Sequence, residues 1–402
     1  MNSIFFKSYP LLLIILIINL RNTVSDIFIA GESNSDFFVL FRASLFVFFG
    51  AISFYRLIKN DLHFNQIEKL FLFYLMYCFF SAIYSSSPFS TFIASFELAV
   101  IYLIIKDFSN IFKSNSLKLL AYQHTYFIIF VLFAILFEID FLTSLNTESF
   151  TSLYSIEIAA QSYAPIVFLK NNPSKMASIA LMCFLYFLFE GKRKLFLIPT
   201  FYMIFIAQSR AILLVTLISI LFYFFGNRYK LFTSFIIISF LLIIIFNQSI
   251  FSILFQSDYF SRGEDLGYFL SGNNRFDLWA KSIEYIQQNP IFGIGYNNSP
   301  FLKDPLFFWT KGSHNFFLSL FLYLGFIGFS YFSFLNYKLI KNIFKIHSDK
   351  IRNLFLCIIF TIFLNSFVGD TLSSSRSIYT IYFIYIFINY DNYFLNHKAL
   401  KN

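Results

Sequence analysis

Charged residues are scarce in this chain. Asp, Glu, Lys and Arg supply only 13% of its 402 residues, against roughly a quarter in soluble domains, which excludes an ordinary water-soluble domain. Cysteine is nearly missing too: Cys78, Cys183 and Cys357 each sit inside an apolar run, and no CxxC or Cys/His cluster exists. Neither a disulfide framework nor a structural zinc site is supported. No carboxylate pair flags a glycosidase, and no Asp-x-Asp flags a metal-dependent sugar-nucleotide enzyme. The hydrophobic runs do not alternate with polar residues, which disfavours a β-barrel. No internal repeat of the transporter kind stands out, nor any low-complexity tract beyond the apolar bias.

What fills the chain is apolar mass: 58% of the residues are hydrophobic and 64 are Phe, with mean hydropathy +0.69. Long apolar runs recur roughly every 20 to 35 residues, the pattern of an all-α polytopic membrane protein. About twelve transmembrane helices are expected, at Ile4–Leu20, Phe37–Tyr55, Leu70–Tyr84, Phe89–Ile105, Leu119–Phe137, Ile156–Leu169, Leu195–Ala207, Ala211–Phe225, Leu231–Phe246, Asn315–Leu335, Asn353–Val368 and Ile378–Tyr390. The first run carries Lys7 near its start but has no small-residue cleavage site close behind it, so a retained helix is expected.

Lys and Arg set the orientation. Arg56, Lys59 and Lys69 share one connection, Lys106, Lys113 and Lys118 another, and Lys338 to Arg352 mark a third, while alternate connections are acidic or neutral. The positive-inside rule then places both termini in the cytoplasm and the one large polar loop, 247–313, on the periplasmic side. The net charge of +9 reads the same way, with no nucleic-acid partner implied. One run conflicts: Ala177–Phe189 is bracketed by Lys170 and Lys175 before it and Lys192 to Lys194 after it. It is expected to be a short hairpin or interfacial segment inside a single membrane domain spanning 1–402; a spanning segment there would invert everything after it and put the long loop in the cytoplasm.

Chemistry-bearing residues gather late. From Asn274, the spacing of Phe276, Trp279, Ile283 and Ile286 predicts an amphipathic helix stopped by Asn289-Pro290. Arg275 falls in its first turn, where the helix dipole does not favour a cation. That suggests an anionic partner, though a solvated surface arginine accounts for it equally simply. Gly293-Ile294-Gly295 reads as a turn after Pro290. His314-Asn315 stands at the outer edge of the next span, where a histidine can be merely interfacial. Further along that helix, Gly325 and Gly328 are small residues suited to close packing. Arg210 sits between two apolar runs, where an arginine needs an anion or water. Arg376 lies at the outer edge between the last two spans, with Asp370 as its alternative partner. Arginine forks suit a diphosphate, and a histidine can accept a proton near neutral pH.

At these residues the chain resembles the bacterial O-antigen ligase and O-antigen polymerase superfamily. The resemblance rests on Ser209-Arg210, on Arg275 with Trp279 and the run Asn289 to Gly295, and on His314-Asn315 followed by nine residues, Gly325, two residues and Gly328. It implies a metal-independent, cofactor-free glycosyltransferase of the inner membrane. The expected donor is an undecaprenyl-diphosphate-linked oligosaccharide, and the acceptor a lipid-linked repeat or lipid A core. A chain-length regulator is an expected further partner. Arg210, Arg275 and His314 are the expected catalytic residues; Arg376, Trp279 and Asn315 are the expected substrate-binding ones, with Trp279 divided between packing its helix and stacking on sugar. The Phe/Ile/Tyr/Asn-rich composition tilts the expectation toward polymerase, with ligase as the alternative and a lipid-linked sugar transporter as the remaining one.

Overall fold

The computed structural model describes residues 35–60, 63–136, 173–190, 193–207, 209–225, 275–300, 312–367, 369, 371–372 and 377–395. The expected spans Ile4–Leu20, Ile156–Leu169 and Leu231–Phe246, most of the loop 247–313, and Arg376 lie outside them. Among the described residues all regular structure is helical, as the composition predicts. The helices are α1 (Ser35–Lys59), α2 (Gln66–Phe80), α3 (Pro88–Phe112), α4 (Ser116–Leu136), α5 (Pro173–Glu190), α6 (Leu197–Ile206), α7 (Arg210–Phe225), α8 (Arg275–Gln288), α9 (Phe316–Ile343), α10 (Asp349–Ser366) and α11 (Ile378–Leu395). Pro88–Phe112, Ser116–Phe133 and Phe316–Ile343 are long and apolar enough to cross a membrane by length and composition. The chain divides into two compact units, one of residues 1–123 with 277–402 and one of residues 124–276.

The second unit corrects one expectation. Ala177–Phe189 is not a hairpin but the body of the continuous helix α5, which packs against α6 and α7. Its side chains from Met176 to Phe187 are all buried. A helix that is apolar on every side belongs at the centre of its bundle. The basic flanks pointed to two ends on one side, but they say nothing about how completely the helix between them is enclosed.

In the first unit, local chemistry fixes the helix ends. Asn65 caps α2 in a capping box: its side chain accepts from the Glu68 N–H at 2.7 Å, and Glu68 accepts from the Asn65 N–H at 2.8 Å. Pro88 opens α3 at the position where its missing N–H is harmless. The same Glu68 receives Lys106 Nζ at 2.6 Å and the Tyr102 hydroxyl at 3.1 Å. Asn65 Nδ2 donates to the carbonyls of Phe387 and Ile388, and Asn389 to Ser109 Oγ. These contacts gather the start of α2 and the ends of α3 and α11 at one end of the unit, the end rich in Lys and Arg. The 81–87 turn between α2 and α3 lies at the other.

That far end holds the feature the sequence concealed. Gly325, inside α9, has φ 63° and ψ −167°, values open only to glycine. The helix folds back on itself there. In a straight helix Phe316 and Phe332 would stand about 24 Å apart, yet their ring centroids are 5.3 Å apart; Phe321 and Phe329, either side of the bend, are at 5.4 Å. The backbone groups released by the bend are taken up by the segment after α8, a strap of residues 290–296. Leu322 and Tyr323 carbonyls accept from the N–H groups of Ile294 and Gly295 at 3.0 and 2.9 Å, and the N–H groups of Phe326 and Ile327 donate to the carbonyls of Pro290 and Ile291 at 2.8 and 3.2 Å. The approach is too close for side chains: a Cβ on Gly293 would meet the Tyr323 carbonyl carbon at 2.5 Å, and one on Gly325 would strike the Ile291 carbonyl oxygen. Gly293-Ile294-Gly295 is therefore more than a turn. Gly328 meets the packing expectation, with Tyr77 Cε1 3.0 Å from where its Cβ would be.

The buried Glu68–Lys106 pair, 1% and 8% exposed, yields a test. Lys106→Met alone should destabilise the fold by about 3–5 kcal/mol, because it strands a buried carboxylate. Adding Glu68→Gln should restore most of the loss. Thermal melts in detergent read both, and a double variant melting no higher than the single one contradicts this account.

Candidate functional site

The site is built on the bend. Folding α9 back carries its first limb, 316–324, down into the first unit, so that Phe316 shares a small cavity with Phe71, Tyr74, Phe332 and Phe383. Phe71 lies ten residues from Ser81, about 15 Å along α2. The expectation of His314-Asn315 at the outer edge of a span is corrected accordingly: the pair is recessed below the bend. An apolar run read as one straight helix hides such a reversal, because only the backbone at Gly325 departs from helical values.

A short polar turn leads into the recessed limb. Asn315, buried, caps it through Oδ1, which accepts from the N–H groups of Phe317 and Leu318 at 3.0 and 3.2 Å. Ser313 Oγ donates to the Asn315 carbonyl at 2.7 Å and pairs with Ser319 Oγ at 2.9 Å. Asn315 is thus committed to capping, which sets the chain's direction at His314. His314 itself is half-buried with φ 50°. Histidine tolerates this left-handed region better than most residues.

Helix α8 is tied to the same turn. Trp279 Nε1 donates to the Ser313 carbonyl at 2.9 Å, so the structure brings Trp279 together with His314-Asn315. Half-buried Arg275 stands one turn before Trp279 on the same face of α8. The stop before Asn289-Pro290 follows the expectation, while the expected start at Asn274 lies outside the described residues. The expected apolar stripe does not: Phe276 and Ile283 are exposed, and the buried residues are Leu278 and Ser282. An apolar stripe marks the core only where the surroundings are water, and this chain's surroundings are largely apolar.

Arg210 opens α7 and belongs, with Arg275, to the second unit, whereas Trp279, His314 and Asn315 belong to the first. Sequence reasoning missed Tyr77, whose hydroxyl donates to the Leu324 carbonyl at 3.1 Å, and Ser81, whose Oγ accepts from the Tyr296 N–H at 2.9 Å. It missed Asn298 as well, which donates to Ser86 Oγ at 2.8 Å and to the Ile294 carbonyl at 2.7 Å. Nothing marks a tyrosine among 26, or a serine after an apolar run, as a partner for broken-helix backbone. Among the described residues no group of three or more His, Cys, Asp or Glu side chains could hold a metal ion.

The left-handed backbone at His314 separates chemistry from stability. His314→Ala and His314→Gly both remove the imidazole, but alanine is strained there by about 1–2 kcal/mol and glycine is not. The glycine variant should melt above the alanine variant. A reversed order of melting temperatures would contradict the backbone assignment.

Residues 195–333 match the family model described as O-antigen ligase. The match supports placement in the O-antigen ligase and polymerase superfamily, whose members are glycosyltransferase-like enzymes with lipid-linked glycan substrates in a membrane. It takes in Arg210, Arg275, Trp279, the strap, His314 and both Gly325 and Gly328, and leaves Arg376 and Tyr77 outside. No curated protein matches the chain.

Proposed function

We propose that the chain is a metal-independent glycosyltransferase of the bacterial inner membrane, polymerising undecaprenyl-diphosphate-linked O-antigen or related surface-polysaccharide repeat units at the periplasmic face. One observation carries the reading: the O-antigen ligase match falls on the stretch in which Trp279 is tied to the turn bearing His314. The strap and the bend lie at the end of the first unit opposite Lys69 and Lys106, which supports a non-cytoplasmic site.

Arg210 and Arg275 act at the donor diphosphate, stabilising the negative charge that develops on the leaving group. His314 takes the proton from the acceptor hydroxyl, or holds that hydroxyl in line for attack. Arg376 assists at the phosphates. Trp279 serves chiefly to dock α8, since its ring nitrogen is already engaged, and its half-buried ring offers an edge to sugar. Asn315 holds the turn through its Oδ1 and offers its amide N–H groups to substrate.

A second reading, ligation of the finished glycan to lipid A core, is favoured by the description of the matched family. A deletion strain separates the two: loss of a polymerase leaves core bearing a single repeat, loss of a ligase leaves bare core. For either, Arg275→Ala and His314→Ala should abolish long-chain glycan on a gel while the protein stays in the membrane. Chain-length ladders that persist in both variants sink the assignment.

A further inference from the structure

We propose that the strap 290–296 is the positioning element of the His314 turn, and that Tyr77, outside the matched region, is a positioning residue acting through it. The mechanical part stands on geometry alone; the catalytic part rests on the function proposed above.

Helix α8 and the recessed limb of α9 are joined twice. At one end Trp279 holds the Ser313 carbonyl; at the other, the strap, continuous with α8 through Asn289-Pro290, holds both sides of the bend. Ten residues separate Trp279 from Pro290, and twelve separate Ser313 from Phe326, so the two segments run in the same direction over matched lengths. With both ends shared, the strap cannot shift without dragging Ser313, and with it His314.

The strap is in turn referenced to the rest of the first unit by side chains of α2 and the turn after it. Tyr77 takes the Leu324 carbonyl, the one beside the bend that the strap does not reach. Ser81 holds the Tyr296 N–H, and Ser86 holds Asn298. Tyr296 is itself buried, and its pendant ring lines the same cavity as Phe316, the first residue of the limb. Helix α2 is anchored at its other end by Asn65 and Glu68. A line of contacts therefore runs from the buried ion pair, along α2, through Tyr77 and the bend, to the histidine turn. Tyr77→Phe keeps the ring and removes only the hydroxyl that satisfies Leu324.

Amide hydrogen exchange on the full chain in lipid nanodiscs tests the mechanical part. In Tyr77→Phe, exchange should rise at 322–328 and also at the distant 312–319, with 349–366 unchanged; Ser81→Ala should give the same pattern. A rise confined to 322–328, no rise at all, or an equal rise over 349–366 overturns the proposal. The catalytic part is read with undecaprenyl-diphosphate-linked repeat units as substrate. Tyr77→Phe should lower kcat by about ten- to a hundredfold with KM little changed, as expected for a displaced catalytic group. An unchanged kcat alongside raised exchange at 312–319 removes Tyr77 from catalysis. Wild-type protein that transfers nothing counts against the proposed function, while the exchange pattern still decides the positioning.

Discussion

A backbone amide or carbonyl without a partner is tolerable in water and intolerable in an apolar interior, where each costs about 1–3 kcal/mol. Everything at the far end of the first unit answers that constraint. A helix reversed at Gly325 leaves peptide groups facing no helical neighbour, and such irregular backbone persists at membrane depth only where other protein satisfies it. The strap supplies the partners for Leu322, Tyr323, Phe326 and Ile327, and Tyr77 supplies the one for Leu324. Bend and strap are thus one structure: neither is stable without the other, and the recessed histidine turn exists because both are present.

The two ends of that unit divide the work. At the basic end, a carboxylate and an ammonium are buried together, the carboxylate also accepting from Tyr102 and the Asn65 N–H, with Asn65 reaching across to carbonyls of α11. A network of this kind favours a single arrangement, since a half-satisfied alternative is costly. At the opposite end the contacts are mostly main chain to main chain; Asn315 and His314 are carried on a turn fixed from several directions, and Trp279 reaches that turn from α8. A recessed polar turn on rigid support holds its side chains within the narrow tolerance that a functional site requires.

Much of this was legible in the sequence, for identifiable reasons. The membrane class followed from composition, and the helix at Arg275 from its stop at Asn289-Pro290. Trp279 and His314-Asn315 were separate pieces of one family resemblance, and the structure joins them through the Trp279–Ser313 hydrogen bond. What stayed hidden was tertiary. Apolar periodicity reports the core only for a chain surrounded by water, so the stripe of Phe276 and Ile283 pointed the wrong way and the enclosure of α5 was missed. Gly325 carried a hint of the bend, but a glycine in an apolar helix is common enough to read as a packing site. Tyr77 and Ser81 gave no hint, because their partners are carbonyl and amide groups more than two hundred residues away.

The clasp at Gly325 is written almost wholly in main chain, and peptide groups are the same at every position. Ile291, Phe292 and Ile294 can therefore be exchanged for other residues without loss of a single bond that holds the reversal, while the glycines at 293 and 325 cannot take even a methyl group. Distant members of such a family would be free to vary most of this segment and still share its shape, leaving a few fixed glycines as the visible trace of a shared three-dimensional joint.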